Sequence, residues 1–144
     1  MRFIVPILSS IFLCFTVVNS ALAAGDSYTP QRGSAERKAI LDAVRPSVEA
    51  DLLKPIEFVV TSMKVANNWA FVVVEPQRPG GRPIDIRKTP VAADADFFDG
   101  FTTYALVNYN GSRWISKAVV IGPTDVAWEP WAEQFGAPSH LMFQ

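Results

Sequence analysis

The chain contains only one cysteine, Cys14, and one histidine, His140, among its 144 residues. Because Cys14 lies in the N-terminal hydrophobic stretch, the rest of the chain has no disulfide, no thiol nucleophile and no thiolate ligand. Common zinc sites need several histidine or cysteine ligands, and a catalytic triad needs a base held beside a nucleophile. We therefore expect no metal, no cofactor and no catalytic residue, and we assign His140 to a C-terminal tail that begins at Pro138.

The chain also lacks a charge excess of either sign. Its formal net charge is −1 at pH 7, with 13 basic and 14 acidic residues. A surface this close to neutral is not typical of proteins that bind nucleic acid or an anionic membrane. We expect neither as a partner.

The N-terminus has the pattern of a signal peptide. Residues 3–18 are uncharged and mostly apolar, and Ala21-Leu22-Ala23 matches the small-x-small sequence that signal peptidase cleaves. The pattern predicts a signal peptide over residues 1–23, cleaved after Ala23 or alternatively after Ala24. We therefore expect a mature chain that is exported to the periplasm or the extracellular space, with no cysteine and no stable membrane anchor.

Two alternatives for this leader fit less well. An uncleaved transmembrane anchor needs about 20 apolar residues, whereas the dense apolar core covers only residues 11–18. A lipoprotein signal needs small residues just before its cysteine, and Cys14 is flanked by Leu13 and Phe15.

The remainder predicts a flexible segment followed by one globular domain. Residues 24–33 are polar and contain Pro30 and two glycines, which predicts a flexible mature N-terminus. The single domain covers residues 34–141. Ser34 is a helix cap, and the helix that follows has one apolar stripe, interrupted by Pro46 and ending near Leu53; the stripe is Ile40, Val44, Val48 and Leu52.

Four strand-like stretches follow the helix as two predicted hairpins. Asn67-Asn68 is the first turn, which sets Val65 opposite Ala70 and Met63 opposite Val72, with Phe71, Val73 and Val60 on the other side. The second strand is apolar on both faces and is therefore expected to be central. Asn110-Gly111 is the second turn, which sets Val107 opposite Trp114 and Leu106 opposite Ile115.

A short helix is expected near the C-terminus. Thr124 is its predicted cap, and Gly136 ends it; its apolar positions are Trp128, Trp131 and Phe135. The order of elements predicts an α+β fold, in which a four-stranded antiparallel sheet of two hairpins is packed by the N-terminal helix, with a short C-terminal helix.

Several segments resemble small exported proteins of proteobacteria, a group without an assigned activity. They are Trp69-Ala70-Phe71-Val72, the stretch 76–81, Phe98-Asp99-Gly100 and the stretch 120–128, and the similarity spans roughly residues 35–141. The resemblance implies a location in the bacterial envelope. The order of a helix before a meander of strands is also similar to cystatin-like and NTF2-like folds, although fold does not determine function.

Two groups of side chains are candidate binding residues. Arg78, Arg82 and Arg87 lie in a proline-rich segment and can bind the carboxylates or other anions of a partner. Alternatively, they are solvated or pair with the acidic residues just downstream in the chain. Trp128 and Trp131 either form an exposed docking patch or fill the gap between the sheet and the terminal helix. The acidic residues from Asp94 to Asp99 do not have the spacing of an EF-hand and are expected to be solvated, with an irregular calcium site as the alternative.

These patterns leave three functions open. The first is a non-catalytic module that binds an envelope protein through the three arginines and two tryptophans. The second is a protein that binds a small apolar ligand in a pocket between the sheet and the first helix, and the third is an enzyme of unknown type. The long stretch 76–100 is either a lid over a site or a docking arm.

Overall fold

The N-terminal helix begins where its cap predicts. In the computed structural model, which describes residues 26–143, helix α1 spans Ala35–Leu52, and the Ser34 hydroxyl accepts a hydrogen bond from the Arg37 N–H. The helix continues through Pro46, which is exposed on its outer face. Its apolar stripe is fully buried, as predicted, at Ile40, Val44, Val48 and Leu52.

The four strands form one antiparallel meander. They are β1 (Glu57–Ala66), β2 (Trp69–Gln77), β3 (Thr103–Tyr109) and β4 (Trp114–Ile121), and neighbours in sequence are neighbours in the sheet. Helix α1 packs on the β3–β4 side of one face, and a short helix α2 (Trp131–Phe135) follows β4. The predicted α+β class, with its N-terminal and C-terminal helices, is confirmed.

Strand β2 contributes to two separate apolar cores. Ala70, Val72 and Val74 pack under α1, whereas Phe71 packs on the opposite face with residues of the C-terminal segment, including Leu141. Because both faces are covered, β2 is buried along most of its length, and the prediction that it is central is confirmed.

The first hairpin has the predicted turn and one unpredicted bulge. Asn67 and Asn68 have φ values of 51° and 64°, and Val65 pairs with Ala70 as expected. The placement of Val60 beside Phe71 and Val73 was wrong. The register shifts between Val60 and Ser62, so that the extra residue returns Val60 to the α1 side.

The register predicted for the second hairpin was wrong by two residues. Tyr109, not Val107, pairs with Trp114, and Val107 pairs with Ser116. The Asn110 side-chain oxygen accepts hydrogen bonds from the N–H groups of Ser112 and Arg113, each at 2.9 Å. These bonds hold a longer loop, residues 110–113, in place of a two-residue turn. Since this shift is even, Trp114 and Val107 share a face, as predicted. A second register shift, between Leu106 and Val107, pairs Leu106 with Ala118 and reverses the alternation of β4 beyond it.

The C-terminal helix is shorter than expected. It begins at Trp131, after Pro130 at the cap position, so the predicted cap at Thr124 was wrong. It ends at Gly136, which has the expected left-handed conformation with φ 70°.

The stretch 76–100 folds back onto the α1-side core. Ile84 and Thr89 are only 7% exposed, and Phe98 packs against the same cluster. Two short 3₁₀ helices, Ile86–Lys88 and Ala92–Phe97, shape the stretch. It is therefore packed onto the domain and does not extend from it as an arm.

The segment before α1 lies along the edge of the sheet. Tyr28 forms two backbone hydrogen bonds with Val65, at 2.9 and 2.8 Å. Tyr28 belongs to the stretch 24–33, which the sequence predicts to be flexible. The predicted signal peptide, residues 1–23, lies outside the described residues. Among residues 26–143, no helix combines the length and apolarity that a membrane crossing requires.

Gly122 joins the end of the stretch 76–100 to the sheet, and its replacement by alanine is expected to destabilise the fold. Its φ is 53°, and a Cβ there would lie 2.3 Å from the Gly100 carbonyl oxygen. Gly122→Ala should therefore lower the free energy of unfolding by more than about 2 kcal/mol, because the backbone must shift. Urea unfolding followed by circular dichroism measures this change.

Gly80→Ala is the matched control for this clash. Gly80 has a comparable φ of 78° with no atom near the added Cβ. The free energy of unfolding of this variant should therefore fall by only roughly 1 kcal/mol, the cost of a left-handed backbone conformation for alanine. Equal losses in the two variants would show that the contact with Gly100 contributes nothing.

Candidate functional site

Arg78 lies at the C-terminal end of α1. Its guanidinium donates hydrogen bonds to the carbonyl oxygens of Leu52 and Leu53, both at 2.7 Å, and of Pro55 at 3.1 Å. The last carbonyls of a helix have no partner within it and carry partial negative charge. Arg78 satisfies groups of this kind, so its side chain holds the turn that leads from α1 into β1.

The other two predicted arginines bind partners within their own loop. Arg82 donates to the Pro79 carbonyl at 3.3 Å, and Arg87 forms a two-bond pair with Asp85 at 2.9 Å for each bond. The hydrogen bond from Arg87 holds the pKa of the Asp85 carboxyl below its ordinary value. Since the Arg87 side chain is 83% exposed, this pair is a surface ion pair.

Both predicted tryptophans lie on the face of the sheet opposite α1. Trp128 stacks on Tyr104 with ring centroids 3.8 Å apart and planes 13° apart. Trp131 is 7% exposed and meets Phe71 edge-on at 6.5 Å. The arginines and tryptophans are therefore not brought together on one surface.

The space between α1 and the sheet is filled by packed side chains. The α1 stripe and the inward residues of the strands are almost fully buried there. An apolar ligand at this position would have to displace core residues.

A different set of side chains converges at the end of the sheet where both hairpin turns lie. There an open cleft of about 340 Å³ lies between the turns and the start of α1. We call it the hairpin-end cleft. It is lined by Tyr28, Glu36, Val65, Asn67, Asn68, Tyr109 and Trp114.

Four separate segments position these residues: the N-terminal segment, the start of α1 and the two hairpins. The backbone bridge to Val65 places Tyr28, whose hydroxyl donates a 2.8 Å hydrogen bond to Glu36 in the first turn of α1. The Asn68 carbonyl accepts a 2.8 Å hydrogen bond from the Tyr109 N–H, which ties the two hairpins together.

Aromatic rings form much of the cleft wall. Tyr109 and Trp114 are paired across β3 and β4, with ring centroids 5.4 Å apart and planes inclined by 50°. Trp114 also packs partly against the α1-side core, which anchors it. Tyr28 is 50% exposed. The rings thus offer accessible faces to a ligand.

Glu36 supplies the charge of the cleft. It is the one ionisable acid or base among the lining residues, the tyrosines apart. Its hydrogen bond and its negative charge, together with partial burial, raise the pKa of Tyr28 above the ordinary tyrosine value. At neutral pH, Tyr28 is therefore a neutral donor beside a carboxylate acceptor.

A second open cleft, of about 520 Å³, adjoins the first and shares Glu36, Tyr109 and Trp114 with it. Its floor is formed by small side chains of α1, and Arg113 and Asp42 also line it. Asp42 is already paired with Lys38 and, at 4.0 Å, with Arg45. Together the two clefts make a surface depression along the first half of α1.

Sequence reasoning missed the residues of the cleft. Tyr28 was placed in a flexible segment, and the wrong register set Trp114 opposite Val107. The signal that was present is the pair of aromatic residues Tyr109 and Trp114, which lie side by side when the hairpin loop has four residues, 110–113.

The other chemistry of the described residues is sparse. Among residues 26–143, no three His, Cys, Asp or Glu side chains lie close enough to hold a metal ion. His140 Nε2 is buried without a hydrogen-bond partner among these residues. No family model, no curated protein and no solved structure matches the chain.

Arg78 is expected to matter for stability. Arg78→Lys replaces a planar fork by one ammonium group that cannot serve three carbonyls, so the free energy of unfolding should fall by roughly 1–2 kcal/mol. Chemical denaturation measures the loss. Arg87→Lys is the control, expected to cost less than about 0.5 kcal/mol because surface pairs contribute little; an equal loss would contradict the role of Arg78.

Proposed function

We propose that the chain is an exported, non-catalytic binding protein of the bacterial envelope and that its ligand site is the hairpin-end cleft. The observation that carries the binding role is the convergence of Tyr28, Tyr109 and Trp114 with Glu36 in one open cleft. Export is supported by the signal-peptide pattern of residues 1–23.

The composition of the cleft favours ligand binding over a purely structural role. Binding sites are typically concave and lined by aromatic side chains, with a few polar groups that orient the ligand, and have volumes of roughly 300–1,000 Å³. Aromatic residues that serve only packing are buried, as Trp131 is, whereas Tyr28 is half exposed. The side chains of Asn67 and Asn68 add hydrogen-bonding groups at the rim.

Docking of an envelope protein through Arg78, Arg82, Arg87, Trp128 and Trp131 is less favoured. The Arg78 side chain is committed to the end of α1, and the tryptophans lie on the opposite face from α1. The small size of the cleft instead suits a small molecule, or one chemical group presented by a larger partner.

Export can be tested directly. Expressed as the full chain in a Gram-negative bacterium, the protein should appear in the periplasmic fraction with residues 1–23 removed. Intact mass spectrometry of the purified product measures the cleavage. A full-length product in the cytosol would contradict the proposal for export.

The ligand site can be tested by NMR on the ¹⁵N-labelled purified protein. Titration with a library of small molecules should give ligands that shift the Trp114 indole N–H and the amides of Asn67 and Asn68. Tyr28→Ala should weaken these ligands, because a ring wall is lost. Trp128→Phe, on the opposite face, is the matched control and should leave binding unchanged. Ligands that shift only the loop 78–88 or Trp128 would place the site elsewhere.

A further inference from the structure

We propose that the hairpin-end cleft recognises an organic cation, namely a quaternary ammonium group. This inference rests on the proposed binding function of the cleft and names the class of its ligand. It rests on the arrangement of the aromatic rings and on Glu36, which has no cationic partner among the described residues.

Tyr109 and Trp114 are inclined to each other and form adjoining parts of the cleft wall. The planes of Tyr109 and Trp114 are inclined by 50° with centroids 5.4 Å apart, so the two rings contact each other, and a group bound on the cleft side of the pair can touch both. Tyr28 lines the same cleft from the N-terminal segment. The face of an aromatic ring carries partial negative charge and attracts a cation within about 6 Å. A sugar ring, by contrast, stacks best with one of its C–H faces on a single exposed aromatic ring.

Glu36 is a carboxylate without a cationic partner among the described residues. Its Oε1 accepts the Tyr28 hydroxyl at 2.8 Å. The neighbouring cations on α1 are engaged elsewhere: Arg37 donates to the Pro30 carbonyl at 3.2 Å, and Lys38 pairs with Asp42. A ligand cation in the cleft would therefore supply the charge that complements Glu36.

The two clefts differ in their charged side chains. Arg113 and Asp42 line the adjoining cleft but not the hairpin-end cleft, where Glu36 is the one charged side chain among the lining residues. Asn67 and Asn68 border the cation position with polar, uncharged side chains.

The experiment compares a cation with a neutral molecule of the same shape. Choline and 3,3-dimethylbutan-1-ol differ in that carbon replaces the charged nitrogen. In NMR titrations of the full mature protein, choline should bind the cleft at least about tenfold more tightly than the alcohol, in keeping with a cation–π contribution and one carboxylate. Its affinity should fall as salt is raised.

Variants separate the charge of Glu36 from the shape of the site. Glu36→Gln should weaken choline binding about tenfold and leave the binding of the alcohol unchanged, since only the charge is removed. Glu133→Gln, an exposed carboxylate on α2, is the matched control and should change neither. Circular dichroism confirms that each variant is folded.

The outcomes distinguish this inference from the proposed function. If choline and the alcohol bind the cleft equally, or if only sugars bind it, the proposed preference for a cation is contradicted, whereas the proposed binding site is still supported. If no compound shifts the cleft resonances, both proposals fail. Capture of the protein by phosphatidylcholine vesicles, which competes with free choline, would identify a lipid headgroup as the source, and choline binding without capture would identify a free small molecule.

Discussion

Strand β2 must be covered on both faces, and the rest of the fold depends on this constraint. Its side chains alternate between two cores, with Val72 fully buried on one side and Phe71 nearly so on the other. A single helix covers one face of a sheet, so the C-terminal segment has to cover the other. Placing β2 inside a meander then brings both hairpin turns to the same end of the sheet, beside the start of α1. The candidate site is a consequence of that topology.

The predictable part of the fold is the part determined by local or periodic signals. The α1 stripe and its Ser34 cap act within one helix, and Asn67-Asn68 fits a tight turn by its own conformational preference. The errors occurred where the backbone departs from a two-residue turn or from a regular strand. The Asn110 side chain closes a longer loop through its own hydrogen bonds, and a bulge at Thr61 reverses the face of Val60. Neither event leaves a distinct trace in the hydrophobic pattern.

The candidate site was less predictable than the fold because its contacts are long-range. Arg78 looked like a free binding residue, yet it binds carbonyl groups 23 to 26 positions earlier in the chain. The cleft likewise depends on a bridge between Tyr28 and Val65 and on a bond between the Asn68 carbonyl and Tyr109. Composition indicated many aromatic residues but not which of them are core. In the structure, the degree of exposure separates Trp131, at 7%, from Tyr28, at 50%.

The attachment of Tyr28 links the cleft to the N-terminal segment. Two backbone hydrogen bonds to Val65 and one side-chain bond to Glu36 hold this residue at the edge of β1, where an unpaired strand edge is otherwise open. Arg37 also donates a hydrogen bond to the Pro30 carbonyl of this segment. These contacts are fewer than those of the core, so the segment has a lower free energy of opening. A ligand that contacts the Tyr28 ring binds the docked form of the segment and not the released form. By mass action, such a ligand stabilises the docked segment, and the docked segment in turn raises the affinity for the ligand. Under the proposed cleavage after Ala23, this coupled element lies near the beginning of the mature chain.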